Sequence, residues 1–223
     1  MRYADFTPYD IVLLLQGLGV TLALFVGTTV IGLLLGLLLA VVHHYRVPGC
    51  RPVIVVVTEA LKNSPVLVQL FLVFFGIPAF LHVRMTPVEA ATLTISLNTA
   101  AFAFVIFRSG IESIEREQIE AAEVFGLSRA RILRLIIAPQ AAAFAVGPLI
   151  GILVNQLQVT SLISVIGVFD LTKIGNILNL RTLQPFIVWA VIGLIYYTAA
   201  KTLAHFGGRI EAALRKSAQW GGI

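Results

Sequence analysis

Charged residues are scarce in this sequence. They make up 12% of its 223 residues, whereas 58% are hydrophobic. Soluble domains carry about a quarter charged residues, so the composition excludes an ordinary soluble enzyme or binding domain. The single cysteine, Cys50, excludes an internal disulfide. With that one cysteine and scattered acidic residues, no set of metal ligands is evident, and none is predicted.

A phosphate-binding loop of the form GxxxxGK[ST] is also missing. The backbone amides and the lysine of that loop hold nucleotide phosphates, so we expect this chain to bind no nucleotide and to catalyse no reaction itself. The net charge is +5, but the lysines and arginines lie near the ends of apolar runs rather than in one cluster. This distribution argues against nucleic acid as a partner and relates the charge to orientation in a membrane.

Long apolar runs dominate what is present. A spanning helix needs about 20 apolar residues, and five runs are long enough or nearly so. They fall near residues 17–42, 66–81, 88–107, 136–157 and 186–206. The sequence therefore predicts an all-α integral membrane protein with about five transmembrane helices. Pro65 is expected to kink or break the second of them.

Positive charge is distributed unequally between the two sides of this arrangement. Eleven basic residues fall on the side of the loop after the first span, namely Arg46, Arg51, Arg108, Arg116, Arg129, Arg131, Arg134, Lys201, Arg209, Arg215 and Lys216. Four fall on the other side, namely Arg2, Arg84, Lys173 and Arg181. Cytoplasmic loops carry the excess of lysine and arginine, which predicts an external amino terminus and a cytoplasmic carboxyl terminus. His43 and His44 are expected at the membrane interface.

Two segments leave alternatives open. Gly32 and Gly36 form a GxxxG pair, which indicates close helix packing either inside this chain or between subunits. Residues 161–185 contain an apolar piece that is too short to span, followed by polar residues. That segment must re-enter the membrane, pack on protein or lie at the outer face.

A polar insert at residues 120–139 interrupts the apolar runs. Each arginine costs about 2.5–3.5 kcal/mol at the bilayer centre, so Arg129, Arg131 and Arg134 together place this segment in water. Gly126 can leave helical geometry, and Ser128 is a plausible N-cap for a following helix. The pattern predicts a water-facing helix-turn-helix, either a plain connection between two spans or a functional element.

The spacing within this insert resembles a known signature. Glu120, Ala121, Ala122, Gly126 and Pro139 match the EAA loop of membrane subunits of ATP-binding-cassette (ABC) importers. One departure is alanine before the proline, where the family usually has leucine.

The resemblance extends over roughly residues 17–200. NSPVLVQLFLVFFGIP, from residue 63, is similar to R-G-T-P-L-L-V-Q-L-F-F-x-x-F-G-x-P of permeases for polar amino acids. FRSGI, from residue 107, resembles their F-R-G-G-I, and LISVIGVFDL, from residue 162, resembles L-V-S-V-I-G-V-x-D-L. The chain is identified on these motifs as a permease subunit of the polar amino acid type.

That resemblance implies a fold, a location and partners. The fold is the transmembrane domain of a type I ABC importer, with an external segment at 1–16, a permease domain at 17–206 containing the coupling loop 111–139, and a cytoplasmic tail at 207–223. The location is the bacterial cytoplasmic (inner) membrane. The implied partners are a cytoplasmic ATPase dimer that binds ATP and Mg, a second permease subunit, a periplasmic or surface-tethered binding protein, an amino acid and membrane lipid. A different chain is favoured as the second subunit, and a second copy is the alternative.

The coupling loop should transmit closure of the ATPase dimer to the spans. The residues assigned to ATPase coupling are Glu120, Ala121, Ala122, Gly126, Arg129 and Pro139. In this scheme Glu120 pairs with a basic residue of the ATPase, the two alanines permit close approach, and Gly126 makes the bend.

Polar residues inside the membrane are functional candidates. The substrate-pathway candidates are Glu59, Lys62, Asn63, Ser64, Val105, Arg108, Asn155, Gln156, Gln158, Thr160 and Ser161. Glu59 and Lys62, three residues apart, could instead simply pair on one helical face. Relatives have a glutamate at Val105 and a lysine at Gln158. Those two charges either hold the substrate, which makes this chain the weaker half of a heterodimer, or pair with each other.

Other functions remain open at this point. A permease for another small polar solute, such as an opine, would have the same motifs. An ion-coupled secondary carrier could use the helix broken at Pro65 as its midplane site, although no inverted repeat is evident. A non-transporting membrane scaffold would have no stable ATPase partner.

Overall fold

The computed structural model describes residues 6–220, with side chains up to Leu214. Within this range the chain forms ten α-helices and no strand. They are α1 (Pro8–His44), α2 (Cys50–Lys62), α3 (Val66–Phe71), α4 (Ile77–Leu81), α5 (Pro87–Glu112), α6 (Arg116–Val124), α7 (Arg129–Ile132), α8 (Ala138–Val159), α9 (Leu171–Thr182) and α10 (Pro185–Trp220). Residues 1–5 and 221–223 of the predicted terminal segments lie outside the described residues, as do the side chains of Arg215 and Lys216.

The structure confirms five spans if the two helices on either side of Pro65, which form a bent pair, are counted as one span. Four helices are long and apolar enough to cross a membrane: α1, α5, α10 and the helix Arg129–Ile166 that contains α7 and α8. The fifth span is the pair Cys50–Lys62 and Val66–Leu81, which meet at 107°. The break expected at Pro65 is therefore present, and it is a sharp turn rather than a kink.

Two helices extend beyond the apolar runs that predicted them. Helix α1 begins at Pro8, where proline suits the first helical position, and the Asp10 carboxylate accepts the Thr7 N–H at 2.7 Å. This N-terminal capping starts the helix inside the segment predicted as external. Helix α10 continues to Trp220, well past residue 206. The sides of the membrane on which these extensions lie remain predictions.

The GxxxG pair packs inside this chain. A Cβ atom at Gly32 would lie 2.5 Å from the Thr99 Cβ, and one at Gly36 would lie 2.6 Å from the Ala103 Cβ. Both distances are too short for any side chain, so the two glycines allow the backbones of α1 and α5 to approach. Of the two alternatives left by the sequence, the structure supports packing within the subunit.

Residues 161–185 pack on protein. A 3₁₀-helix covers Thr160–Ile166, and α9 lies against α1 and α10. The Leu171 N–H donates to the Thr21 hydroxyl at 3.1 Å, and Arg181 forms an ion pair with the buried Asp10. The short apolar piece therefore needs no span of its own, because its residues Ile163, Ile166 and Val168 are buried in a cluster with residues of α3 and α5.

Two π-helical turns precede prolines. One covers Leu72–Gly76, two residues before Pro78, and the other covers Leu133–Ile137, two residues before Pro139. Proline lacks an N–H and crowds the carbonyl one turn earlier. A π-turn widens the helix there, so both helices continue through their prolines.

Candidate functional site

The break between α2 and α3 leaves a backbone carbonyl without its helical partner. In an unbroken helix the Leu61 carbonyl would accept from residue 65, but Pro65 has no N–H. Instead the Gln69 Nε2 donates to the Leu61 oxygen at 2.6 Å, and the Asn98 Nδ2 donates at 3.4 Å. Both side chains are buried. Hydrocarbon offers no water to hydrogen-bond the Leu61 carbonyl, so donors from other side chains are needed to stabilise the break.

The same two side chains join the break into a network. The Gln69 Nε2 also donates to the Ser64 carbonyl at 3.1 Å and to the Ser64 Oγ at 2.9 Å. The Asn98 Nδ2 reaches the Gln69 Oε1 at 3.4 Å, and the Ser64 Oγ donates to the Ala60 carbonyl at 2.8 Å. The network connects α2 and α3 to the middle of α5, which fixes the angle of the break.

A cavity of about 140 Å³ opens beside this network, between α2, α5 and α8. Its polar lining residues are Lys62, Ser64, Asn98, Asn155 and Gln156. The apolar part of its wall includes Phe102 and Ile152. Amide groups, one hydroxyl and one ammonium thus converge on a partly apolar space, which suits a small polar molecule.

The cavity unites the two polar clusters that the sequence placed separately. Lys62 and Ser64 come from the first cluster, and Asn155 and Gln156 come from the second. The pairing of Glu59 with Lys62 is also present, at 2.8 Å. The Asn63 amide donates to the Glu59 carboxylate at 2.9 Å on the exposed side of α2. Glu59 and Asn63 therefore flank the cavity without lining it.

Other predicted pathway residues lie elsewhere. Val105 packs against an apolar cluster that includes Phe104 and Ile111. Arg108 forms an ion pair with Glu112 at 2.8 Å. Neither residue lines the polar cavity.

The predicted pathway residues Gln158, Thr160 and Ser161, at the end of α8, also lie outside the lining of the polar cavity. Gln158 is exposed, the Thr160 hydroxyl donates to the Leu157 carbonyl at 2.6 Å, and the Ser161 carbonyl accepts from Ser164 at 2.9 Å. Thr160 and Ser161 thus bond locally around the transition to the 3₁₀-helix. The two positions at which relatives carry charges, Val105 and Gln158, are not brought together in this cavity.

Sequence reasoning missed Asn98 and Gln69. Both are polar residues inside predicted spans, and that property alone marks an intramembrane residue as a candidate. His43, predicted to lie at the membrane interface, is only 4% exposed and packs against Phe104. Its depth in the membrane stays a prediction.

The polar insert forms the predicted helix-turn-helix. Gly126 has φ of +76°, its N–H donates to the Glu123 carbonyl at 2.9 Å, and the Leu127 N–H donates to the Ala122 carbonyl at 3.1 Å. These two bonds make a Schellman motif, which satisfies the last carbonyls of α6 without any outside group. Ser128 is the N-cap of α7 as predicted, although it caps by backbone geometry, without a side-chain hydrogen bond.

Most of this loop is exposed, and its tip is apolar. Val124 is 87% exposed and Phe125 is 86% exposed. Glu120, Ala121, Arg129 and Pro139 are also exposed, whereas Ala122 is buried within this chain. The Gln140 amide donates to the Gln118 side chain at 2.9 Å, which links α6 to the start of α8.

Comparison with known proteins agrees with these observations. A model of the family described as "Binding-protein-dependent transport system inner membrane component" matches residues 32–204. The L-cystine transport system permease protein TcyL of Bacillus subtilis (strain 168) is 32% identical over 219 residues, which cover 96% of this chain and 90% of that protein. The arginine transport system permease protein ArtQ of the same organism is 30% identical, over 92% of this chain and 93% of that protein.

Solved structures give the same result. A crystal structure of an amino acid ABC transporter with histidines matches with a TM-score of 0.84 and 27% identity, over 94% of this chain and 100% of that chain. The MetNI methionine ABC transporter, in an inward-facing conformation, matches with a TM-score of 0.81 at 18% identity, which shows a shared fold. The chain belongs to the family of inner-membrane components of binding-protein-dependent transport systems, and it is a membrane-spanning permease subunit of the ABC importer type.

Proposed function

We propose that this permease passes an amino acid through the polar cavity beside the Pro65 break. The observation that carries this proposal is the convergence of Lys62, Ser64, Asn98, Asn155 and Gln156 on one space of about 140 Å³. The amide, hydroxyl and ammonium groups of this lining suit a small polar solute. The resemblance to permeases named for cystine and arginine transport supports an amino acid as that solute.

The chemistry of the lining supports the same class. The Lys62 ammonium can pair with a carboxylate, and side-chain amides can accept from an ammonium group and donate to a carboxylate. We assign substrate contact to the cavity-lining residues, and to Glu59 and Asn63 the role of holding Lys62. The alternative of an ion-coupled carrier is not favoured, because the family and the solved structures that match are ABC importers.

Transport would be driven from the α6–α7 loop. Val124 and Phe125 expose an apolar tip to water, and such a surface is stabilised when a partner covers it. We propose that this tip and Glu120 dock on a cytoplasmic ATPase, which binds ATP and Mg in place of this chain. The Gln118–Gln140 contact would transmit movement of the docked loop to α8, which borders the polar cavity.

Orientation and assembly follow from the same proposal. We infer that the loop end of the bundle lies in the cytoplasm and the amino terminus outside; the excess of arginine near the loop supports this orientation. A second permease subunit completes the pathway, and a binding protein delivers the substrate from the outer side. Whether the second subunit is a copy of this chain or a different chain would determine how many copies of the cavity one transporter contains.

Cysteine crosslinking tests the docking. Glu120→Cys and Val124→Cys, made in a Cys50→Ser background, should each crosslink to an ATPase that co-purifies with the permease. Leu180→Cys is the matched control, because Leu180 is 76% exposed on α9, away from the loop. The proposal fails if the loop cysteines capture no ATPase, or if Leu180→Cys captures it equally well.

A further inference from the structure

We propose that a second cavity, beside the coupling loop, binds a phosphate-type anion. This cavity has a volume of about 440 Å³ and lies between the end of α1, the start of α2 and the α5–α6 connection. An adjoining cavity of about 310 Å³ shares His44, Arg46 and Ile119 with it. The site is separate from the polar cavity at the Pro65 break, and it does not rest on the transport proposal.

The walls of this cavity are positively charged. Arg46, Arg51 and Arg116 line it, and Glu112 is the one acidic residue in its lining. The Glu112 carboxylate already accepts from Arg108 at 2.8 Å, so its charge is offset. Within the described part of the chain, Arg46 and Arg116 have no ion-pair partner. Three guanidinium groups around one space, none of them in an ion pair with a described residue, favour an anion.

Two helices begin at this cavity. Arg51 lies in the first turn of α2 and Arg116 in the first turn of α6. The N-caps of these helices, Gly49 and Glu115, form no side-chain capping hydrogen bond. The dipole of a helix N-terminus favours a phosphate or a sulfate, and the first turn of α2 contains no acidic residue to offset it, whereas that of α6 contains Glu117.

One of the guanidinium groups is held in place. The Arg51 Nε donates to the His43 Nε2 at 3.1 Å, and His43 is itself buried against Phe104. Among the described residues this is the single hydrogen bond of Arg51, so both of its Nη groups remain for a ligand. Guanidinium groups bind phosphate through two parallel hydrogen bonds, and a fixed Arg51 would lose little entropy in doing so.

The surroundings indicate where such a phosphate comes from. The cavity has an apolar wall of Ile111, Ile114 and Ile119. Beyond Arg51, helix α2 exposes Val53, Val56 and Val57 as an apolar stripe. The arginines therefore lie next to an apolar surface, which is the arrangement that an anionic headgroup with acyl chains would need. Both the headgroup phosphate of an anionic phospholipid and dissolved phosphate have the required chemistry.

Lipid binding measured on the purified full-length permease with its co-purifying subunits tests the proposal. Native mass spectrometry in detergent would compare phosphatidylglycerol, phosphatidylcholine and inorganic phosphate as probes. The double variant Arg46→Gln/Arg116→Gln should weaken phosphatidylglycerol binding at least about tenfold, because it removes two of the three cations. Arg131→Gln/Arg134→Gln is the matched control: both residues are exposed and line neither cavity, and binding should change less than about twofold.

The variant Arg46→Lys/Arg116→Lys keeps the charge, and recovery of binding in it separates loss of charge from misfolding. Specific loss of phosphatidylglycerol in the glutamine variant supports a lipid source. Binding of inorganic phosphate alone, lost in the same variant, supports a dissolved source. If the site and control variants bind phosphatidylglycerol equally well and neither they nor the wild type bind phosphate, the proposal is wrong.

Discussion

Two interruptions of helical structure in this chain are satisfied in opposite ways. At the Pro65 break, inside the membrane, the Leu61 carbonyl is satisfied by Gln69 and Asn98, and Asn98 lies 37 residues away. At Gly126, in the polar loop, the last carbonyls of α6 are satisfied by the next N–H groups of the same backbone. In water a turn can rely on itself and the solvent, whereas in lipid a break depends on donors from other helices.

This difference gives the two regions different roles: the Pro65 break supports the fold, whereas, in our proposal, the Gly126 turn takes part in docking. The membrane break is tied to α5 and borders the polar cavity, so changes there should affect folding first. The Gly126 turn is local and exposed, so changes there should leave the fold and affect what docks on it. The first three predictions below separate the two regions, in order of decreasing effect on stability.

The largest effect is expected from Gln69→Leu. This change removes the four hydrogen bonds of a buried amide and leaves the Leu61 and Ser64 carbonyls poorly satisfied, which should cost several kcal/mol of unfolding free energy. Gln118→Leu makes the same change on exposed α6 and should cost less than about 1 kcal/mol. Unfolding of both purified variants measures this, and equal losses would remove the distinction between the two regions.

The next effect concerns two glycines that have the same positive φ. Gly126 and Gly49 both have φ of +76° and open space where a Cβ would lie. Gly126→Val and Gly49→Val should each cost about 1–2 kcal/mol, because a branched residue is strained in that conformation. Only Gly126→Val should also reduce ATP-driven uptake strongly. Similar uptake by the two variants would show that the Gly126 turn has no special part in coupling.

A smaller effect is expected on the exposed side of the membrane break. Glu59 is half-exposed where it pairs with Lys62, so Glu59→Gln should change stability only slightly, and less than either glycine variant does. Its effect should shrink further in high salt. Denaturation at two salt concentrations measures this. A loss as large as that of Gln69→Leu would show that the ion pair, rather than the buried amides, holds the break.

The last prediction is a pH dependence from Asp170, the N-cap of α9, which lies outside both regions. Burial raises the pKa of this carboxyl from 3.8 to about 6. The folded chain then binds the proton more tightly than the unfolded chain does, so this contribution to stability is full below pH of about 4 and is lost as pH rises through about 6. The side-chain oxygen of asparagine can still accept from the Lys173 N–H, so Asp170→Asn keeps the cap. It should remove this dependence of stability on pH. Unfolding measured across that interval checks it, and an unchanged slope would assign the dependence to another group.

Local features of the fold were predictable from the sequence, and long-range ones were not. The spans follow from apolar length, the break from the missing N–H of Pro65, and the turn from Gly126. The roles of Asn98 and Gln69 depend on which face of α5 meets the break, which no local pattern encodes. The burial of His43 has the same cause, because it depends on Arg51 and Phe104 from other helices.

The candidate site was predictable in part for a similar reason. The sequence identified both polar clusters, but only packing of α8 against α5 brings Asn155 and Gln156 to Lys62 and Ser64. The motif comparison also selected Val105 and Gln158, since relatives carry charges there. Val105 packs against an apolar cluster and Gln158 is exposed, so neither residue lines the cavity.

Uptake into proteoliposomes tests the central claim most directly, which is that the exposed α6–α7 loop couples a separate ATPase to transport. The permease, reconstituted with its co-purifying subunits and binding protein, should accumulate a labelled amino acid when ATP is supplied without an ion gradient. Glu120→Lys should abolish that accumulation while the protein remains in the membrane. Accumulation driven by an ion gradient without ATP, or full ATP-driven uptake by Glu120→Lys, would contradict the account.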